Sequence, residues 1–127
     1  MTIDRIMNYH TITAKVQDTI AKAYEIMIEN GVNGTPVVDE ENNLQGMIVK
    51  ADIYRFLTQP GHYDTCPVEW VMTKEVVTAY KNEDIVTIAK RLRENDIIAI
   101  PIVDMDKKVI GIVSIEDIVD YFIEHYK

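Results

Sequence analysis

Cysteine, glycine, proline, phenylalanine and tryptophan are all scarce in this chain. Its 127 residues include one cysteine, Cys66, five glycines, four prolines, two phenylalanines and one tryptophan. A single cysteine excludes an intrachain disulfide framework, and a lone thiol without a CxxC partner points to a reducing, cytoplasmic setting. Five scattered glycines leave no phosphate-cradling loop. No apolar run reaches the roughly 18 residues of a membrane span, and the opening MTIDRIMNYH has no signal-peptide core. Basic residues are also in short supply, with 13 Lys and Arg against 21 Asp and Glu, a net charge of −8. Such a surface lacks the basic stripe that displaces counterions from nucleic acid, and it is equally unsuited to an anionic membrane. His10, His62 and His125 stand far apart without metal-ligand spacing, so no metal is expected. HYDTC places His62, Asp64 and Cys66 at alternate positions in a loop. That spacing does not fix a nucleophile against a base, so no enzyme is expected.

What the chain does contain is ordinary globular composition, 47% hydrophobic and 27% charged, in one compact length. It also contains an internal repeat. Shifted by 65 positions, Ile6–Leu57 falls on Val71–Phe122 without a gap. Identical pairs include Met7/Met72, Ile20/Ile85, Pro36/Pro101, Asp39/Asp104, Gly46/Gly111 and Asp52/Asp117. The repeats are assigned to residues 1–60 and 61–127, joined by a turn-rich linker over about 58–70.

Each repeat reads β-α-β-β-α. A short strand is expected at Ile12–Ala14 and at Val76–Ala79. The three-then-four apolar spacing predicts helices over about 18–30 and 83–95, the first capped by Asp18 and stopped at Asn30-Gly31. TPVVDEENNLQGMIV and IPIVDMDKKVIGIVS read as hairpins, followed by helices at Asp52–Leu57 and Ile115–His125. The fold class is α/β (α+β). Trp70 is expected to anchor the linker on the core. Tyr121, Phe122 and Tyr126 belong either to the core or to a dimer seam.

The two copies differ at the entry to their last helix. Ser114-Ile115-Glu116-Asp117 has the spacing of a capping box, in which hydroxyl and carboxylate each accept a backbone N–H of the other residue. The same atoms can serve a ligand, since a carboxylate takes two ribose hydroxyls side by side and a helix start receives phosphate. In the first copy Val49 stands where Ser114 does, and a valine can neither cap nor bind.

A tandem of units carrying PVVD, then a glycine, then SxxD resembles the CBS domain family. Two such units in one chain are similar to a CBS pair, also called a Bateman module. The resemblance extends from about Ile6 to Phe122. It implies two repeats packed about a pseudo-twofold axis, with two clefts that take adenosine-containing ligands, and pairing of modules into a homodimer. Carried over by position, the main cleft sets Ser114, Glu116 and Asp117 against Ile12, Val32, Asn33 and Gly34. Ile12 and Val32 would sandwich an adenine, and Gly34 would allow close approach. The weaker cleft sets Lys50 and Asp52 against Val77, Ile97, Ile98 and Ala99. Read as plain residues, Ile12 and Val32 are equally core and Gly34 a turn.

AMP-sensing members of the family often carry Arg, His or Lys just before the second strand. Here Asn33, Gly34, Ile98 and Ala99 hold those positions, leaving Lys15, Lys50 or Arg55 as substitutes. The resemblance implies a regulatory, energy-sensing module with no required cofactor. Its ligand would be AMP, ADP, ATP or an S-adenosyl compound, and its output would pass to a separate protein effector. The competing reading is a scaffold protein whose SxxD is only a helix cap.

Overall fold

Ile20, Ala23 and Met27 recur at three- and four-residue steps, and they form the buried stripe of helix α1, Ile20–Asn30. Its stop is the expected one: Gly31 adopts φ 65°, a left-handed conformation that costs glycine little. Its cap is not. Thr19, rather than Asp18, accepts the Lys22 N–H at 3.1 Å, while the Asp18 carboxylate accepts the Lys15 N–H at 2.9 Å. Two adjacent capping residues competed, and Asp18 closes the preceding turn instead.

The computed structural model describes residues 1–9 and 11–126; His10, one of the three histidines weighed above, and Lys127 lie outside them. The chain forms two compact units. One is continuous, Ile12–Val76. The other is split, Met1–Thr11 together with Val77–Lys127.

In the continuous unit β1 (Ala14–Lys15) runs parallel to β2 (Gly34–Val38), which pairs antiparallel with β3 (Leu44–Val49). Helix α2 (Lys50–Leu57) follows at once, starting two residues before the expected Asp52. In the split unit α3 (Ile85–Glu94) leads into the antiparallel pair β4 (Ala99–Val103) and β5 (Val109–Ser114), then α4 (Ile115–His125). The expected strand at Val76–Ala79 shrinks to one parallel bridge, Ala79 to Ile102. The mixed α+β fold with four helices is the one expected. Both hairpin turns are built alike. Asp39 Oδ1 accepts from Glu41 and Asn43, and Asp104 Oδ1 from Asp106 and Lys108, all within 3.0 Å.

The cores are apolar. Ile20, Met27, Val37, Ile48 and Ile53 fill one, and Ile85, Ile88, Leu92, Ile100 and Ile102 the other. Each is completed by a short 3-10 helix from outside its own β-α-β-β-α run. Val68, in Val68–Trp70, is fully buried in the continuous unit, and Ile3, in Ile3–Arg5, is fully buried in the split unit. Each such side chain contributes about 2 kcal/mol by leaving water. The anchor is therefore Val68 and not Trp70, which is 64% exposed. On this one-turn helix Val68 is the buried residue and Trp70 stays at the surface.

These leading segments also answer the first N–H groups of the helices they meet, which lack intrahelical partners. The Ile20 N–H donates to the Cys66 carbonyl and the Ala21 N–H to the Asp64 carbonyl, both at 2.9 Å; the Ile85 N–H donates to the Met1 carbonyl at 3.0 Å. The duplicated glycines lie beneath them. A Cβ on Gly46 would stand 2.9 Å from the Thr73 carbonyl oxygen and 2.7 Å from Met72 Sδ. On Gly111 it would stand 2.9 Å from the Asn8 carbonyl oxygen and 2.5 Å from Met7 Cε. Of the aromatic residues on α4, Tyr121 packs on the core, while Phe122 is half exposed and Tyr126 largely so.

Candidate ligand-binding site

The capping box expected at the start of α4 is present. Ser114 ends β5 in extended conformation, paired with Ala99. Its hydroxyl accepts the Asp117 N–H at 3.1 Å, and Asp117 Oδ2 accepts the Ser114 N–H at 2.8 Å. The Ile115 N–H donates to the Ile98 carbonyl at 2.9 Å, tying the helix start to the strand beside it. Among the described residues Asp117 Oδ1 has no partner, and the Ser114 hydroxyl acts only as an acceptor. One carboxylate oxygen and one hydroxyl proton therefore remain for an outside group.

Asp117 is half-buried and lines an open pocket of about 440 Å³ in the split unit, with Asp120, Tyr121 and Glu124 of α4 and Arg5 of the leading segment. Arg5 was not among the cations foreseen from the sequence. Its repeat partner is Trp70, and nothing in the residue pattern says that the first segment lies against the last helix. Glu116, by contrast, is exposed on the helix.

The continuous unit repeats the arrangement without the cap. Val49 precedes α2 with no side-chain hydrogen bond to it. Asp52, at the position matching Asp117, forms an ion pair with Arg55. Lys50 opens the helix, half-buried, and its N–H donates to the Asn33 carbonyl at 2.9 Å. Gly34 sits opposite Val49, where an added Cβ would come 2.9 Å from Val49 Cγ1.

Each unit thus gathers one helix start with the strand start of the same repeat. Asn33 and Gly34 lie beside Val49 and Lys50; Ile98 and Ala99 lie beside Ser114 and Ile115. The two halves of each expected cleft fall in different units: Ser114, Glu116 and Asp117 in the split one, Ile12, Val32, Asn33 and Gly34 in the continuous one. Lys50 and Asp52 are likewise in a different unit from Val77, Ile97, Ile98 and Ala99. Val32, Val77 and Ile97 are partly buried against their own cores, and Ile98 is exposed.

The segments before each first helix are held by side chains. Thr35, buried on β2, donates its hydroxyl to the Ile12 carbonyl at 2.6 Å. In the split unit Arg91 does the equivalent, donating from Nη1 to the Thr78 carbonyl at 3.0 Å while also binding Glu83. The Arg91 hydrogen bonds hold the Glu83 carboxyl below the usual range, and Glu83 raises Arg91 in return. Each favours the charged form of the other.

No cluster of three or more potential metal ligands occurs among the described residues, and none of their helices is long and apolar enough to cross a membrane.

Comparison with known proteins places this geometry. The chain is 32% identical over 116 residues to a homoserine O-acetyltransferase of Methanococcus vannielii, covering 91% of this chain and 24% of that protein. It is 34% identical over 113 residues to an L-aspartate semialdehyde sulfurtransferase of Methanocaldococcus jannaschii, covering 89% and 21%. The chain therefore spans less than a quarter of the length of either enzyme. A crystal structure of a CBS domain pair in complex with 5′-methylthioadenosine and S-adenosyl-L-methionine superposes with a TM-score of 0.90 at 32% identity, covering 98% of this chain and 97% of that one. The family described as CBS domain matches twice, at residues 3–59 and 68–124. With two matched repeats spanning most of its length, this chain belongs to the CBS domain family.

Proposed function

We propose that the chain is a regulatory module that binds an adenosine-containing ligand, with Asp117 receiving the ribose hydroxyls and Ser114 and Glu116 beside it. The observation that carries this reading is the unused Asp117 oxygen at a preorganised helix start, in a chain 32% identical to a pair crystallised with two adenosyl compounds. The repeats 1–60 and 61–127 act together, with Ile12, Val32, Asn33 and Gly34 completing the main site. The second site, from Lys50, Asp52, Val77, Ile97, Ile98 and Ala99, is lapsed, because Val49 supplies no hydroxyl and Asp52 is engaged by Arg55.

The charge around Asp117 bears on ligand class. Three carboxylates, those of Asp117, Asp120 and Glu124, line the pocket with Arg5, His125 and Met1, whose terminal ammonium pairs with Asp84. Such a surplus disfavours a polyphosphate and suits a neutral or cationic adenosyl compound, so an S-adenosyl or methylthioadenosyl ligand ranks above AMP, ADP or ATP. The module works as a homodimer in the cytoplasm and passes its state to a protein effector. The ligand shifts that state only by its differential affinity for the two conformations.

Thermal-shift titration tests this. An adenosyl ligand at 100 times its Kd should add about 2.7 kcal/mol, a rise of several degrees at this size. The rise should persist in Asp52→Ala and vanish in Asp117→Ala. If no adenosyl compound shifts the wild type, the scaffold reading takes over. That reading has its own support, since the capping box is complete without any ligand.

A further inference from the structure

Asparagine is followed by glycine twice in this chain, at Asn30-Gly31 and at Asn33-Gly34. Asparagine is among the thermolabile residues, and a following glycine has no side chain to shield its backbone nitrogen from the carboxamide before it. Both asparagines are exposed. The continuous unit nevertheless treats them in opposite ways. Asn30 is the last residue of α1, and its Nδ2 donates to the Ile26 carbonyl at 2.7 Å. The Gly31 N–H donates to the Ile28 carbonyl at 3.4 Å. Carboxamide and neighbouring amide are thus both held by the end of the helix.

Asn33 has neither restraint. Among the described residues no hydrogen bond reaches its carboxamide. Its carbonyl accepts the Lys50 N–H at 2.9 Å, which makes Gly34 and Val49 a pair that exchanges no hydrogen bonds across the β2–β3 ladder. The Gly34 N–H therefore turns away from β3, and β1 meets β2 only at Val37 and Val38. An unheld carboxamide precedes an unheld backbone N–H at an exposed corner. The second repeat has no such pair. Ile98-Ala99 stands at the matching positions, and Asn95, which matches Asn30, precedes Asp96 and donates to the Arg91 carbonyl at 2.8 Å.

We propose that Asn33 is a site of spontaneous deamidation in the folded chain, and that the closed end of α1 protects Asn30 from the same reaction. Hydroxide removes the Gly34 amide proton, and the nitrogen attacks the side-chain carbonyl carbon of Asn33. A carbon–nitrogen bond forms, and the side-chain nitrogen takes a proton from water and leaves as ammonia. Water then opens the cyclic imide. Opening at the side-chain carbonyl gives aspartate, and opening at the main-chain carbonyl gives isoaspartate. Water and hydroxide are the only co-reactants, and nothing is oxidised or reduced. Either product adds one negative charge to a net −8. Aspartate sets that charge beside the start of α2, where an anion is favoured. Isoaspartate instead routes the chain through the side chain, lengthens it by a methylene and converts the carbonyl that holds the Lys50 N–H into a free carboxylate. The isoaspartate form should therefore melt below the aspartate form.

The test ages the full chain in warm, mildly alkaline buffer and maps both asparagines by peptide mass spectrometry, with electron-transfer fragmentation to tell isoaspartate from aspartate. Asn33 should convert at least about tenfold faster than Asn30 in the folded chain, because the end of α1 must open before Asn30 reacts. In urea the two rates should converge, and the Asn33 rate should rise with pH. Equal rates in the folded chain, or conversion of Asn33 only in urea, would overturn the proposal. Asn33→Gln keeps the carboxamide but disfavours the ring, so its charge should stay constant on ageing. Gly34→Ala is not relied upon, since its Cβ would stand 2.9 Å from Val49 Cγ1. A last arm repeats the ageing with 5′-methylthioadenosine, a ligand of the similar pair. This arm alone rests on the proposed function, which sets Asn33 in the main site. Slower conversion of Asn33 with Asn30 unchanged supports both readings. An unchanged Asn33 rate under a ligand that raises the melting temperature tells against Asn33 as a site residue, while the modification stands on the ligand-free rates.

Discussion

Thr35 and Ile12 are 23 positions apart, yet the Thr35 hydroxyl donates to the Ile12 carbonyl at 2.6 Å from a fully enclosed position on β2. The bond fixes the segment that leads into β1, where one wall of the proposed main site begins. Thr35→Val keeps the shape and removes the donor. It should lower stability by about 1–2 kcal/mol, the usual result of leaving a polar group without its partner. Calorimetric titration should show adenosyl affinity falling further than the melting temperature alone would account for. Unchanged affinity would mean that the Ile12 segment does not line the site.

The two helix starts make opposite predictions. Ser114→Ala removes a working cap and should cost about 1 kcal/mol. Val49→Ser places a hydroxyl three residues before Asp52 and should gain up to about 1 kcal/mol if the carboxylate leaves Arg55 for the new N–H partner. Urea titrations of both variants, with equal m-values, check this pair.

Gly46→Ala and Gly111→Ala should each destabilise by about 1–3 kcal/mol, as overpacked sites do. The methionine ends can swing aside, but the Thr73 and Asn8 carbonyl oxygens at 2.9 Å are backbone and cannot. Trimming the methionine, as in Gly111→Ala with Met7→Ala, should therefore fail to restore the melting temperature.

Acid sensitivity follows from Glu83. Its carboxyl is held below the usual value by Arg91, so its contribution is complete above the unfolded value of about 4.3 and fades as pH falls through the lower folded one. Glu83→Gln should be less stable than wild type near neutrality, and the difference should close as pH drops below about 4. Asp84 is lowered too, chiefly by the Val86 N–H. Some acid loss should therefore survive in the variant.

Much of this molecule could be read from the residue pattern. The three-four spacing located α1 and α3, and the SxxD of one copy located its capping box. PVVD in the first copy and PIVD in the second, each with a downstream glycine, located the two hairpins. What could not be read is the pairing of segments with bodies. Met7 matches Met72 and Gly46 matches Gly111 whether a segment packs on its own repeat or on the other, because identity is blind to which copy supplies a neighbour. Arg5 at Asp117 escaped notice for that reason. Trp70 misled because bulk suggested burial, while the buried residue of that short helix is Val68. The first strand of the second copy was overdrawn because two good β-formers, Val76 and Val77, outran the one bridge that Ala79 makes.

The split unit has an entropic consequence. Its two pieces, Met1–Thr11 and Val77–Lys127, are joined only through Ile12–Val76. When those intervening 65 residues are unfolded, docking Ile3 into its core must close a loop of that length, at a cost of order 4 kcal/mol from the logarithmic term alone. When they are folded, most of that chain freedom is already gone. The continuous unit, whose own pieces follow one another in sequence, can form first. The split unit then inherits a folded tether in place of a long coil, so a mutation that melts the former should also loosen the latter.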